Sequence, residues 1–525
     1  MTSGGAVLIG FQDQTNLGLG YLASTLQDRG VAARIIDFRQ GPESILEAVR
    51  AADPLLVGFS LIFQYYLPEF RQLVSYLREN GVDCHFCAGG HYPSLRYEDM
   101  LQAIPGLDSI ARCEGELTLA ELMQCLAQGR DWHQVAGLAY RDGERSIAPL
   151  PRALIADLDE LPYPVRPFED AATLGKKASP MLASRGCVRN CSFCSIRQFY
   201  ETTRGKKVRV RKPSTVAEEM RVLHLEQGVS IFPFQDDDFP VWGTFGRRWL
   251  DQFTNALRTE GLVGRVIWKI SCRADEVEPE LFGRLRDSGL YMVYLGLESG
   301  NATGLSTFAK GLTVEDNLRA AAILHGLRLS LGYGFMMFDP SSTFETVRAN
   351  VSFLREITGD GLAAAHFCRM VPYAGTPIEA SLAGEGRLRG DSTNPDYDFL
   401  DSRMEEFFNA ISVATTDWIN GPASLKNQLS WAWQEHWVLR RLFPPLPDLD
   451  AYERFLRSIT HRSNQYLLDL VEEASYSYEA GKGQAPSPTK VQGVSDRFSE
   501  QLLAQRDAFI HRNQRTMMAS LSAVT

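Results

Sequence analysis

Ser184-Arg-Gly-Cys187-Val-Arg-Asn-Cys191-Ser-Phe-Cys194-Ser-Ile196 sets three cysteines in a C-x3-C-x2-C spacing within one short loop. Thiolates this close together suit one face of an iron–sulfur cluster, and a [4Fe–4S] cube held by three of them leaves one iron open to a small molecule. A zinc site short of its fourth ligand, or three unrelated thiols, are the competing readings. The chain on either side favours the cluster. A strand Met181–Ser184, just after Pro180, is expected to deliver the loop at its carboxyl end. Strand-like runs follow at Ser230–Phe234, Val266–Ile270, Tyr291–Leu295, Ser330–Met337 and Ala363–Met370, alternating with helical patterns. That order predicts a partial (β/α)6 barrel over residues 180–384.

Residues 1–130 alternate in the same way. Apolar runs at Ala6–Gly10, Ala33–Asp37, Leu55–Phe59, Cys84–Ala88 and Ser109–Arg112 are separated by helical patterns, and a helix opens at Glu116. A doubly wound parallel sheet is predicted, with its ligand over the carboxyl ends of the strands. Those ends read Asp13-Gln14-Thr15-Asn16-Leu17-Gly18, Ser60-Leu61-Ile62, Gly89-Gly90-His91 and Arg112-Cys-Glu114-Gly115-Glu116. Small residues there let a large ligand approach the backbone, and Ser60 offers it a hydrogen bond. A flavodoxin-like or Rossmann domain for another ligand competes with this reading. Cys84 and Cys87 form a C-x-x-C inside a strand and read as core residues.

Residues 131–179 form a connector with a hairpin strand at Gly137–Gly143. The basic run Arg204–Lys212 reads as a solvated connection beside the cysteine loop. Residues 385–525 read as a mostly helical domain. Its Trp433 and Trp437, at i and i+4, share one helix face as a packing cap.

The cysteine loop resembles the signature of the radical S-adenosylmethionine (SAM) enzymes, with Phe193 at the aromatic position before the third cysteine. The N-terminal strand ends are similar to those of cobalamin-binding domains, whose pattern is D-x-H-x-x-G, then S-x-L, then G-G. Thr15 stands where that pattern has its cobalt-ligating histidine, so the resemblance implies cobalamin without a histidine lower ligand. The match to the cobalamin-dependent radical SAM enzymes implies roles for individual residues. Cys187, Cys191 and Cys194 would hold the cluster. Phe193, Asp236, Asp237, Ser271, Arg273 and Glu298 would bind SAM. Asp13, Gln14, Thr15, Asn16, Gly18, Ser60, Leu61, Gly89, Gly90, His91, Glu114 and Gly115 would bind cobalamin.

Composition is ordinary for a globular chain, with 44% hydrophobic and 22% charged residues among 525. A net charge of −10 argues against a nucleic-acid partner. Nine cysteines are too sparse for a disulfide framework, and the N-terminus has no basic leader, so a cytoplasmic protein is expected. The resemblance implies methyl transfer from methylcobalamin to an unactivated carbon of a small-molecule substrate through a 5′-deoxyadenosyl radical. It also implies an electron donor such as flavodoxin or ferredoxin. Cyclisation, ring rearrangement or oxidation without methyl transfer is the rival enzyme reading, and a cobalamin-binding sensor or carrier the non-enzyme one. No residue is singled out as a catalytic acid or base.

Overall fold

The N-terminal apolar runs become parallel strands: Ala6–Gly10 (β1), Ala33–Asp37 (β2), Leu56–Ser60 (β3), His85–Gly89 (β4) and Ser109–Ala111 (β5). The computed structural model describes residues 4–12, 15–167 and 172–522. Its first sheet has the order β2-β1-β3-β4-β5-β6-β7, the last two being Leu138–Asp142 and Arg145–Ile147, added antiparallel. The order reverses beside β1, which creates the crevice at the carboxyl ends of β1 and β3. Helices Leu17–Asp28 (α1), Pro42–Ala52 (α2), Leu67–Glu79 (α3), His91–Leu95 (α4), Tyr97–Ala103 (α5) and Glu116–Ala127 (α6) complete the layers. β1 is buried along its whole length, as a strand covered on both faces must be. Aromatic rings fill one side of the sheet, Phe38 stacking on Phe70 at 4.4 Å and Phe59 meeting Phe86 edge-on at 5.3 Å. Cys87 lies in one core cluster and Cys84 packs against another; burial raises both thiols to about 11.

The chain divides into two compact units, each assembled from separate segments. The first takes Met1–Ala171, Pro180–Thr215 and Val371–Tyr397; the second takes Ala172–Ser179, Val216–Met370 and Asp398–Thr525. Ala172–Thr173 (β8) and Lys176–Ala178 (β9) therefore belong to the second unit. Ser184–Arg185 (β10) and Arg209–Val210 (β11) return to the first, as an antiparallel pair.

The second unit's sheet runs β16-β15-β14-β13-β12-β9-β8, with Val229–Pro233 (β12), Ile267–Cys272 (β13), Leu290–Glu298 (β14), Ser330–Phe338 (β15) and Cys368–Arg369 (β16). From β9 to β16 all neighbours are parallel. Two expectations are corrected here. The strand beside β12 is Lys176–Ala178, not Met181–Ser184: Ser179 N–H donates to Ile231 at 2.9 Å, and Pro180 then has no N–H to continue the ladder. Of Ala363–Met370 only Cys368–Arg369 pairs, because Ala364 and Ala365 bond to the Tyr333 hydroxyl and the Asn464 side chain instead.

Alternation sorts the strand residues by face. Trp268 and Ile270 are fully buried, and Trp268 lies edge-on to Phe253 of helix Gly243–Thr259 at 5.6 Å. Lys269, Ser271, Met292, Tyr294 and Glu298 point the other way and are less buried. Four helices close the chain: Ser402–Ile419, Leu425–Leu442, Leu449–Glu479 and Pro488–Ser522. Trp433 and Trp437 are buried, and Trp433 Nε1 donates to Thr460 at 3.2 Å, as a packing role requires. Among the described residues no helix is long and apolar enough to cross a membrane.

Candidate functional site

Cys187, Cys191 and Cys194 follow β10 in the first unit, each half-buried. The loop leaves the strand through Gly186 at φ +87°, where a Cβ would sit 2.1 Å from the Lys207 carbonyl oxygen, so only glycine fits. Arg189 N–H donates to Cys187 Sγ at 3.4 Å and Cys194 N–H to the Cys191 carbonyl at 3.3 Å. Among the described residues no three His, Cys, Asp or Glu side chains converge on a single ion. Three thiols spread along one partly open loop fit a multi-iron cluster, whose irons each ask for one thiolate.

Charged pairs tie the stem of this loop to the end of β5. Glu114 receives Arg185 Nη1 at 2.9 Å, Arg209 Nη1 at 2.7 Å and the Ile155 N–H at 2.8 Å. Arg185 Nη2 donates to Glu116 at 2.6 Å. All four charged residues are at most 9% exposed. Arg185 lies over the ring of Tyr21 and Arg209 over that of Tyr200. Burial disfavours the Glu114 carboxylate, but the two guanidiniums outweigh it and hold the carboxyl below its usual range. The expectation of a solvated basic run therefore holds at Arg204–Lys206 and Lys212, which are exposed, and fails between them. Arg209 and Arg211 are buried, and the Lys207 ammonium caps the Tyr200 and Thr203 carbonyls. The alternation Val208-Arg209-Val210-Arg211 was the available signal, since it has the period of a strand rather than of a coil.

After the cysteines, helix Ile196–Glu201 (α7) buries Phe199, which meets the His91 ring edge-on at 4.4 Å. Cys113 Sγ lies 2.7 Å from the Thr202 hydroxyl. The segment Val371–Tyr397 closes the same unit. Ile378 N–H donates to the Ser192 carbonyl at 3.0 Å, buried Gln64 bridges Ala374 and Ser392, and Arg96 pairs with Glu379 at 2.7 Å.

The residues expected to bind cobalamin divide by use. Asn16 caps α1, accepting Leu19 N–H at 3.1 Å, and Thr15 takes a left-handed φ of 55°. Leu61 is buried, its N–H bonded to Gly89 at 2.8 Å; Gly90, at φ +115°, would place a Cβ 2.3 Å from the Leu61 oxygen. Gly90 is thus demanded by the crossing of two loops. Gly18, Ser60, Gly89, His91 and Gly115 keep some exposure. Asp13 and Gln14 lie outside the described residues. Sequence reasoning missed the apolar group just beyond Ser60. Ile62, Phe63 and Tyr65 are 41–42% exposed, Phe63 stacks on Tyr65 at 5.4 Å, and Tyr373 lies 5.8 Å from Phe63. Large exposed apolar side chains at strand ends fit a broad, flat ligand such as a corrin. Their density after a strand could have been read.

In the second unit the expected SAM residues stand at or just beyond the carboxyl ends of successive strands. Asp236 is buried and Asp237 exposed after β12; Asp238 is buried as well. Ser271 and Arg273 follow on β13 and just past it. Arg273 donates to the Lys310 carbonyl at 2.7 Å and to Asp275 at 3.1 Å, while its Nη1 is a buried donor without a protein partner. Such an orphan suits a carboxylate ligand. Glu298 closes β14 at φ +63° and accepts Lys310 Nζ at 3.1 Å. Two residues of this face were not foreseen. Tyr294 is 42% exposed and lies against Gly332 and Gly334, where a Cβ would come within 3.1 Å of it. Burial draws the Lys269 ammonium below its ordinary value.

Two family models match, the B12 binding domain over residues 10–123 and the radical SAM superfamily over 181–354. An uncharacterized methyltransferase of Pyrococcus horikoshii is 28% identical over 69% of this chain and 77% of its own length. An anaerobic magnesium-protoporphyrin IX monomethyl ester cyclase of Synechocystis is 29% identical over 59% of this chain, and the match spans 61% of that enzyme. The fold is similar to that of OxsB, a cobalamin-dependent SAM radical enzyme solved with aqua-cobalamin: TM-score 0.69 at 17% identity, over 99% of this chain and 84% of that one.

Proposed function

Given that this chain belongs to the cobalamin-dependent radical SAM family, joining a B12-binding domain to a radical SAM domain, we propose that it is a methyltransferase acting on an unactivated carbon of a small molecule. When bound, the cluster and cobalamin supply the hard chemistry: an electron to cleave SAM, giving the 5′-deoxyadenosyl radical, and a carrier for the methyl group. The observation that carries the reading is the packing of the cysteine loop and the B12-type strand ends into one compact unit, tied by buried charges.

The chain's own part is binding and orientation. Cys187, Cys191 and Cys194 would hold the cluster and leave one iron free for SAM. Arg273, with its orphan donor, would take the SAM carboxylate; Ser271, Glu298, Asp236 and Asp237 would complete that part of the site. Asn16, Gly18, Ser60, Leu61, Gly89, Gly90, His91 and Gly115, with the exposed Phe63 and Tyr65, would border the corrin. Thr15 offers the cobalt no imidazole. A flavodoxin or ferredoxin is the electron donor this chemistry needs, and a cytoplasmic setting suits it. The second reading, cyclisation or oxidation without methyl transfer, is supported by the similarity to the Synechocystis cyclase.

The test uses anaerobically purified protein with reconstituted cluster and cobalamin, given SAM labelled in its methyl group and a low-potential reductant. Formation of 5′-deoxyadenosine together with S-adenosylhomocysteine and labelled methylcobalamin is expected. Deoxyadenosine alone would favour the cyclase reading. Failure to take up cobalamin would overturn both.

A further inference from the structure

Resemblance assigns Glu114 to cobalamin, but the local chemistry points elsewhere. Both carboxylate oxygens are engaged: Oε1 by Arg185 and Arg209, at 2.9 and 2.8 Å, and Oε2 by Arg209 and the Ile155 N–H, at 2.7 and 2.8 Å. The side chain is 5% exposed. A corrin amide would have to displace one of these charge-assisted bonds to reach it. Arg185 stands two residues before Cys187, and its second arm is fixed by Glu116 at the first turn of α6. Its partner strand residue, Arg209, is 2% exposed. The quartet thus sets the stem of the cysteine loop through four buried charges that sum to zero. Buried ion pairs add little net stability but are exacting about geometry, since misaligned charges in a low-dielectric setting find no alternative partner.

We infer that Glu114 is a positioning residue for the cluster loop, joining the end of β5 to the loop's stem, and that it is not a corrin contact. The inference rests on the cofactor reading above. The neighbouring Gly115, half-exposed, and His91, whose ring meets Phe199 of α7, remain the residues that face a ligand from this end of the sheet.

The experiment compares wild type, Glu114→Gln and Glu114→Asp as full-length, anaerobically reconstituted protein. Three readouts are taken: iron and sulfide content, the EPR spectrum of the reduced cluster titrated with SAM, and the affinity for hydroxocobalamin by absorbance. Glu114→Gln keeps the shape but gives up the charge that holds two guanidiniums. It is expected to bind hydroxocobalamin as wild type does, while its cluster spectrum broadens and the SAM-induced shift needs about tenfold more SAM, the scale of outer-shell effects on metal sites. Glu114→Asp, which restores the charge, should recover part of that shift. Cobalamin binding weakened about tenfold with an unchanged cluster spectrum would overturn the inference in favour of a corrin contact; so would no change in either. Should Glu114→Gln fail to fold, Glu116→Gln gives up only the charge that faces Arg185 Nη2. A smaller change of the same spectrum supports the inference there, and an unaltered spectrum refutes it. Wild-type protein that takes up neither cofactor would overturn the parent reading as well, and that control is read separately.

Discussion

Both units place candidate site residues at the carboxyl ends of parallel strands, and the first adds the cysteine loop after the antiparallel β10–β11 pair; the two fix them by different physics. In the second unit the strands themselves carry Ser271 and Glu298, and Arg273 follows directly. Their aim comes from an apolar layer on the opposite face, where Phe234, Phe239, Trp249, Phe253 and Trp268 interlock edge-on. In the first unit the cysteines sit on a loop, which no strand ladder can aim. There the orientation comes from polar groups: the buried Glu114–Arg185–Arg209–Glu116 quartet and Gln64, and the partly exposed Arg96–Glu379 pair. Packing is strong but undirected, so it suffices when a strand already fixes direction. Hydrogen-bonded charges are weak in net energy but directional, so they serve where the backbone is irregular.

That contrast can be broken at several points. The largest effect is expected at the loop's chemistry. Cys187→Ala, Cys191→Ala or Cys194→Ala should each abolish the reconstituted cluster absorbance and SAM cleavage while leaving hydroxocobalamin uptake in place. Next, Trp268→Ala should destabilise the second unit by about 3–5 kcal/mol, read from urea unfolding, because the cavity it leaves is lined by rings that cannot collapse. Arg209→Met should cost a similar 3–5 kcal/mol in the first unit by stranding Glu114 without its closest partner. If Arg209→Met proves neutral, the polar-tie account of that unit fails.

A pH effect should act on both units alike. Burial lowers His85, in the first, and His366, in the second, to about 4. Each is neutral in the fold below its unfolded pKa of about 6.5, so the unfolded chain binds the extra proton. Stability is then complete above pH 6.5 and lost as pH falls toward 4, by at most about 3 kcal/mol per histidine. His366→Gln should flatten the urea midpoint against pH in that window. Smallest of all, Arg247→Ala or Glu278→Ala, at an exposed pair of the second unit, should change stability by only about 0.2–1 kcal/mol.

Sequence order went a long way here. The five parallel strands of the first sheet were placed within a residue or two of their positions, because apolar runs of five residues between helical patterns have few other solutions, whereas β6 and β7, read as part of a connector, extend that sheet. The cysteine loop was legible from spacing, since its three thiols are neighbours in the chain. The misreadings share one cause. The strand beside β12 was misplaced because Ser179 and Pro180 decide where the ladder ends, and that depends on a partner strand some fifty residues away. The buried half of the basic run was mistaken for a solvated face because Glu114, the carboxylate partner of Arg209, lies 95 residues earlier. Local pattern determined the parallel strands of both sheets and the thiol triad, and the resemblance alone marked Thr15 as standing where cobalamin-binding domains carry a histidine. Only the tertiary structure decided that Val371–Tyr397 packs with the first unit, that Glu114 is consumed by two guanidiniums, and that Arg273 keeps a free donor. Periodicity reports which face a residue takes, whereas the pairing of buried charges depends on which distant segments the fold brings within about 3 Å of each other.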